Sequence, residues 1–196
     1  MKINHIPDVE THPDDQNRKD LMEHYWHLIS YIHGLIRSSE LKAGLILSFY
    51  GIALNLYFQH IDVLLDASRN EWIVISFMGA WFILTIISMY YSFRCFLPLI
   101  LNKYNKNVFF FGDVISSFGS IEEYSQKLYQ VSNSRESLFS QLGEQVYINS
   151  KIANAKFGFV NKSVRVLAIN IILLLLYSII HSIELTAVPQ AERSEP

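Results

Sequence analysis

The sequence predicts an all-α membrane protein, three transmembrane helices with a small cytosolic helical bundle, and three observations predict it. Of 196 residues, 51% are hydrophobic and only 17% are charged, against about 25% charged in an ordinary soluble domain. The deficit is concentrated, because segments 43–61, 72–93 and 166–183 contain no Asp, Glu, Lys or Arg. Each segment is also of spanning length, at ~1.5 Å per helical residue and about 30 Å of hydrocarbon. Inside lipid a backbone must satisfy its own hydrogen bonds, which makes these segments helices.

The elements follow in order. Residues 1–16, with Pro7, Pro13 and several acids, read as a disordered tail. Over 17–42, Leu21, Tyr25, Leu28, Ile32 and Leu35 recur at steps of four and three, the mark of a helix, here a cytosolic one. Asp14 or Asp15 is its expected cap. No proline interrupts 16–61, so this helix is expected to run on into the first span, 43–61. The first 42 residues carry five basic and seven acidic side chains, unlike a cleaved signal peptide, and the first span reads as a retained anchor. Residues 62–71 form an outer loop, and 72–93 the second span, with Trp72 at one end and Tyr90 and Tyr91 at the other as interfacial anchors.

Pro98 should break the chain after this span. Residues 94–165 read as a cytosolic helical region, to which the resemblance given below assigns the sensing role. In it, NVFFFGDVISS (107–117) suggests a buried turn feeding a helix start. Ser120 and Glu123 match a capping box for a helix from Ile121 to about Val131. Ser132, Asn133 and Ser134 signal a turn. A last helix begins near Arg135, meets no proline before Pro189 and joins this region to the third span, 166–183, before an outer tail, 184–196. Gly143 and Gly158 cost this helix about 1 kcal/mol each.

Basic residues set the orientation. Five precede the first span, one lies in 62–71, nine in 94–165 and one in 184–196. The positive-inside rule therefore puts the N-terminus and the middle region in the cytosol and the C-terminus outside.

The net charge of −2 excludes a nucleic-acid binder working through bulk electrostatics, so no nucleic acid is expected as a partner. One cysteine, Cys95, excludes an internal disulfide and a cysteine-cluster metal site. The seven histidines do not form a metal motif: His24 and His27 share a helix face, but His33 falls half a turn away, so no metal is expected. There is no nucleophile elbow, HExxH, Walker loop or GxGxxG, hence no catalytic residue to name, and neither an enzyme nor a cofactor is expected.

Two patterns carry more. Gly44, Ser48, Gly51 and Asn55 form a small, polar stripe on the first span. Such stripes let helices approach and share hydrogen bonds. Packing within the chain, against Ser76, Gly79 and Ala80 of the second span, is the favoured use, and packing between chains into a homo-oligomer the other. At the inner boundary, Arg37 and Glu40 are spaced to pair. Arg37 and Lys42, with Asn149 and Lys156 from the last helix, alternatively offer charge and amide groups to a small phosphate.

The order of motifs then becomes informative. RSSELKAG (37–44) enters the first span, and a second span follows. Next come NVFFFGDV (107–114), a capped helix with Tyr124 and Tyr129, NSKIANAKFGFVNKS (149–163) and the last span. This ordered set resembles the Pycsar transmembrane effectors, the membrane partners of bacterial pyrimidine cyclases. The resemblance implies an antiphage defence effector of the bacterial inner membrane. It would sense a cyclic pyrimidine nucleotide, cyclic UMP or cyclic CMP, made by a neighbouring cyclase, and impair membrane integrity in abortive infection. It also implies membrane lipid and further copies of the chain as partners, with the C-terminus periplasmic. Arg37, Glu40, Lys42, Phe110, Asp113, Asn149 and Lys156 are the expected ligand-sensing positions. The alternative is a constitutive membrane scaffold or accessory subunit that docks a partner protein through its cytosolic helices.

Overall fold

The computed structural model describes residues 13–59, 71–98 and 106–191, and every element among them is helical. α1 (Pro13–Gln59) is one unbroken helix, as the absence of proline after its first position allows. Its 47 residues correspond to about 70 Å. α2 (Glu71–Phe96) stops two residues before Pro98. A turn over 107–110 leads into α3 (Phe111–Ser116). α4 (Ile121–Asn133) ends two residues past the expected Val131, and α5 (Arg135–Ala191) absorbs Gly143 and Gly158 without interruption. Residues 13–16 of the tail expected over 1–16 instead form the first turn of α1, which puts Asp14 and Asp15 within the helix rather than at its cap, since Pro13 is well suited to a first helical turn. Residues 1–12, most of the outer loop and the last five residues lie outside the described residues.

Local chemistry accounts for the helix starts. The Ser120 hydroxyl accepts the Glu123 N–H at 3.1 Å, and the Glu123 carboxylate accepts the Gly119 N–H at 2.9 Å, so the capping box closes one residue earlier than its usual form. Ser134 breaks α4 from α5 in an extended conformation, and its hydroxyl accepts the Ser137 N–H at 3.3 Å.

Two compact units form, one from the described parts of 1–35 and 99–152 and the other from those of 36–98 and 153–196. The first is centred on Ile29, Leu138 and Leu142, with Met22, Tyr25, Phe109, Phe139 and Val146 packed around them. The second is centred on Ala43, Ile46, Tyr50, Cys95 and Val160. α1, α2 and α5 are each long and apolar enough to cross a membrane. Their most apolar windows are only 17%, 22% and 11% buried. In a water-soluble bundle those windows would be the core. Here Leu45, Ile52, Ile83, Ile86, Ile172 and Leu175 point outward, which fits a surface solvated by hydrocarbon.

The small-residue stripe is not used as the favoured reading expected. A side chain added at Gly44 would touch the Phe96 ring at 3.6 Å, but Gly51 and Gly79 have nothing within 4 Å. Ser48, Asn55, Ser76 and Ala80 are exposed. The reason is register: the buried face of α1 carries Ser39, Ala43, Ile46 and Tyr50, and the stripe lies beside it.

Candidate functional site

Two polar constellations stand out, one in each unit. In the first unit, Asn107 is fully buried and organises the turn before α3. Its Oδ1 accepts the Phe109 N–H at 2.8 Å, an Asx turn. Its Nδ2 donates to the Gln141 carbonyl at 2.8 Å and reaches Glu144 Oε2 at 3.4 Å. Gln141 Oε1 in turn accepts the Val108 N–H at 2.9 Å, and the Tyr124 hydroxyl donates to the Val108 carbonyl at 3.3 Å. Asp113 closes the loop by accepting the Asn107 N–H at 2.9 Å. This explains the motif NVFFFGDV in physical terms: its polar residues pin an aromatic turn to α5.

Deeper in the same unit, buried Gln145 donates through Nε2 to Asn149 Oδ1 at 3.3 Å, and Asn149 Nδ2 meets His33 Nε2 of α1 at 3.2 Å. Gln145 Oε1 is buried with no hydrogen-bond partner among the described residues.

The second unit carries three polar layers among apolar packing. Lys156 is 5% exposed, and its Nζ lies 2.6 Å from Glu40 Oε1 and 2.7 Å from the Cys95 carbonyl. Ser163 exchanges hydrogen bonds with Ser88, hydroxyl to carbonyl at 2.9 and 3.0 Å, and its hydroxyl lies 2.7 Å from that of Ser92. Asn170 Nδ2 donates to the Tyr50 hydroxyl at 3.0 Å and to Thr85 Oγ1 at 3.1 Å. The lysine and asparagine layers each join α1, α2 and α5, and the serine layer joins α2 and α5. Interhelical polar contacts of this kind are the expected glue of spans, since lipid supplies no hydrophobic drive between helices.

The seven expected sensing positions divide between the units. Phe110, Asp113 and Asn149 belong to the first, Arg37, Glu40, Lys42 and Lys156 to the second. Phe110 is half-buried and packs against Phe111 at 5.6 Å. Arg37 is exposed, and Glu40 pairs with Lys156 rather than with Arg37 on its own helix. Lys42 sits over the Phe157 ring at 5.5 Å. Of the histidines, His24 meets the Asp20 carbonyl, His27 meets Glu23, and His33 meets Asn149.

Sequence reading placed Asn107 and Ser163 within its motifs without giving either a role, and it missed Gln141 and the partners of Asn170. The signal was a seven-residue step: Leu142, Asn149, Lys156, Ser163 and Asn170 recur at that interval on α5 and are all buried. Seven residues is the repeat of knobs-into-holes packing. It separates these residues from Ser150, Asn154, Asn161 and Lys162, which are exposed.

Comparison with known proteins places the chain in a family. The family model of the Pycsar effector protein domain matches residues 24–181. That range takes in all three apolar windows and both constellations. The chain is also similar to the Pycsar effector protein PtPycTM of Propioniciclava tarda, with 29% identity over 146 residues, 72% of this chain and 70% of that protein. No solved structure matches. A match over most of the chain, with its polar layers inside the matched range, makes this protein a member of the Pycsar effector family.

Proposed function

We propose that this protein is an antiphage effector of the bacterial inner membrane that senses cyclic UMP or cyclic CMP and responds by impairing the membrane. Family membership supports the defence role. The observation that carries the mechanism is continuity: α1 and α5 each run without a break from the first unit into an apolar window. A ligand that prefers one arrangement of the first unit can therefore bias the spans through the helices themselves, provided that it binds the two arrangements with different affinity.

In this reading Asn107 and Asp113 hold the aromatic turn, with Phe110 at its end. Glu40 and Lys156 form the latch that ligand binding loosens, and Arg37 and Lys42 mark the cytosolic boundary. The distribution of basic residues supports a cytosolic first unit and a periplasmic C-terminus. Three spans in one copy enclose no water-filled channel, so leakage requires several copies or a distorted bilayer.

The test is direct. Liposomes bearing the protein and loaded with a self-quenched dye should release it on addition of cyclic UMP or cyclic CMP. Absence of a nucleotide-dependent leak with both would overturn the proposal in favour of a constitutive scaffold.

A further inference from the structure

We propose that a cavity of about 240 Å³ in the first unit, bounded by Arg18, Trp26, Phe109 and Ser132 over a floor of Leu138 and Leu142, is the site for the cyclic pyrimidine mononucleotide. The inference rests on the sensing reading above and adds the place and the contacts. Four features point to this occupant.

The first is charge. A ring-closed nucleoside monophosphate carries a single negative charge on its phosphodiester. Arg18 is exposed, has no ion pair among the described residues, and is the one charged group of the lining, which holds no carboxylate. Its planar fork suits two oxygens of one phosphate.

The second is the aromatic pair. Trp26 stands edge-on to Phe109, with ring planes at 90° and centroids 6.2 Å apart. Trp26 is 47% exposed, a large ring left partly uncovered next to an apolar floor. Bases in single-stranded form are held by stacking on such rings.

The third is size. The volume falls below the range of roughly 300–1,000 Å³ typical of sites for drug-sized ligands. It therefore matches one small nucleotide with a single-ring base better than a cyclic dinucleotide.

The fourth is position. Arg18 and Trp26 lie on α1, Phe109 in the turn pinned by Asn107, Ser132 near the end of α4, and Leu138 and Leu142 on α5. A ligand there touches both helices that continue into the spans, as the mechanism requires. Phe109, Leu138 and Leu142 also belong to the core of this unit, so occupancy and packing are coupled.

The experiment is calorimetric titration of the full chain in detergent micelles with cyclic UMP and cyclic CMP, repeated with Arg18→Gln, Trp26→Leu and, as a control in the other unit, Trp72→Phe. The first two should each weaken binding at least tenfold, with unchanged helical circular dichroism, and Trp72→Phe should bind as the parent does. If Trp26→Leu loses helical signal, the exposed Arg18→Gln decides. If the parent binds and Arg18→Gln and Trp26→Leu bind equally well, the site is elsewhere and the sensing reading stands. If the parent binds neither nucleotide, both fall. Equal affinity for a cyclic dinucleotide would also overturn this assignment.

Discussion

Lys156 reaches across 116 residues of sequence to place its ammonium 2.6 Å from Glu40 Oε1. Its second bond, to the Cys95 carbonyl at 2.7 Å, satisfies the end of α2, where the last carbonyls have no partner within the helix. One side chain thus ties three helices together and puts a positive charge at the negative end of a helix dipole.

The first prediction follows from unequal exposure. The Glu40 side chain is 36% exposed and that of Lys156 6%, so each removal strands a different partner. Glu40→Ala leaves a buried ammonium with one carbonyl, at a cost of about 2–3 kcal/mol, below the figure for a fully buried pair because Glu40 is partly solvated. Lys156→Met keeps the aliphatic stem and leaves a carboxylate that water can reach, so it should cost less. The double variant should be clearly less unstable than the sum of the two. Denaturant unfolding in micelles measures all three. If the pair is also the latch, Glu40→Ala raises dye leakage in the absence of nucleotide.

Asn170 gives a second prediction with a built-in ranking. Its amide donates to Tyr50 and Thr85 among apolar side chains. Asn170→Leu should cost about 1 kcal/mol, the usual scale for interhelical hydrogen bonds in membranes. Asn170→Asp should cost more, because a charge inside a span is costly, up to roughly 2.5–3.5 kcal/mol at its centre, and Asn170 lies about one turn inside the boundary set by Arg165. The same unfolding measurement tests the order. Asp tolerated better than Leu would show that this layer is wet.

The turn before α3 supplies the third. Asn107 holds the Phe109 N–H and the Gln141 carbonyl at once, whereas Asp113 holds one N–H. Asn107→Ala should cost about 1–3 kcal/mol, since it leaves the Phe109 N–H without its acceptor and empties a fully buried position, while the Gln141 carbonyl keeps its bond within α5. Asp113→Asn keeps an acceptor and loses only charge assistance, about 1 kcal/mol. Activity should fall in proportion to the folded fraction in both, as read by thermal unfolding beside dye release. An inactive Asp113→Asn of normal stability would instead assign the carboxylate a chemical role.

The helices were legible because their determinants are local. The lack of proline over 16–61 foretold one continuous α1, although the helix starts at Pro13, four residues before the expected Asn17; Pro98 foretold the end of α2, Ser120 with Glu123 marked the start of α4, and charge-free runs marked the spans. Pairing was not legible in the same way. Arg37 and Lys156 are equally plausible partners for Glu40 by charge, and the choice depends on which face of α5 turns inward. That face is written in the seven-residue spacing of Lys156, Ser163 and Asn170, a signal hidden by the exposed polar residues between them. The role of Asn107 was hidden for another reason: its partners Gln141 and Glu144 lie more than thirty residues away, and nothing local names them.

The last prediction concerns the stripe that the single chain leaves uncovered. Asn55 is exposed on the apolar stretch of α1, and among the described residues its side chain accepts only a long hydrogen bond, 3.5 Å from Gln59 Nε2. An amide facing lipid is unfavourable, and the open space at Gly51 lets a second helix approach closely. If these residues meet a second copy, Asn55→Leu and Gly51→Leu should each reduce chemically cross-linked oligomers in liposomes several-fold. Neither position packs within the chain, because a Cβ added at Gly51 would meet no side chain within 4 Å and Asn55 is outside the core. Asn55→Leu also makes the span more apolar, so it cannot impair insertion. Loss of oligomers with full membrane insertion would therefore report a lost contact between copies, and an unchanged distribution would show that this face meets lipid alone.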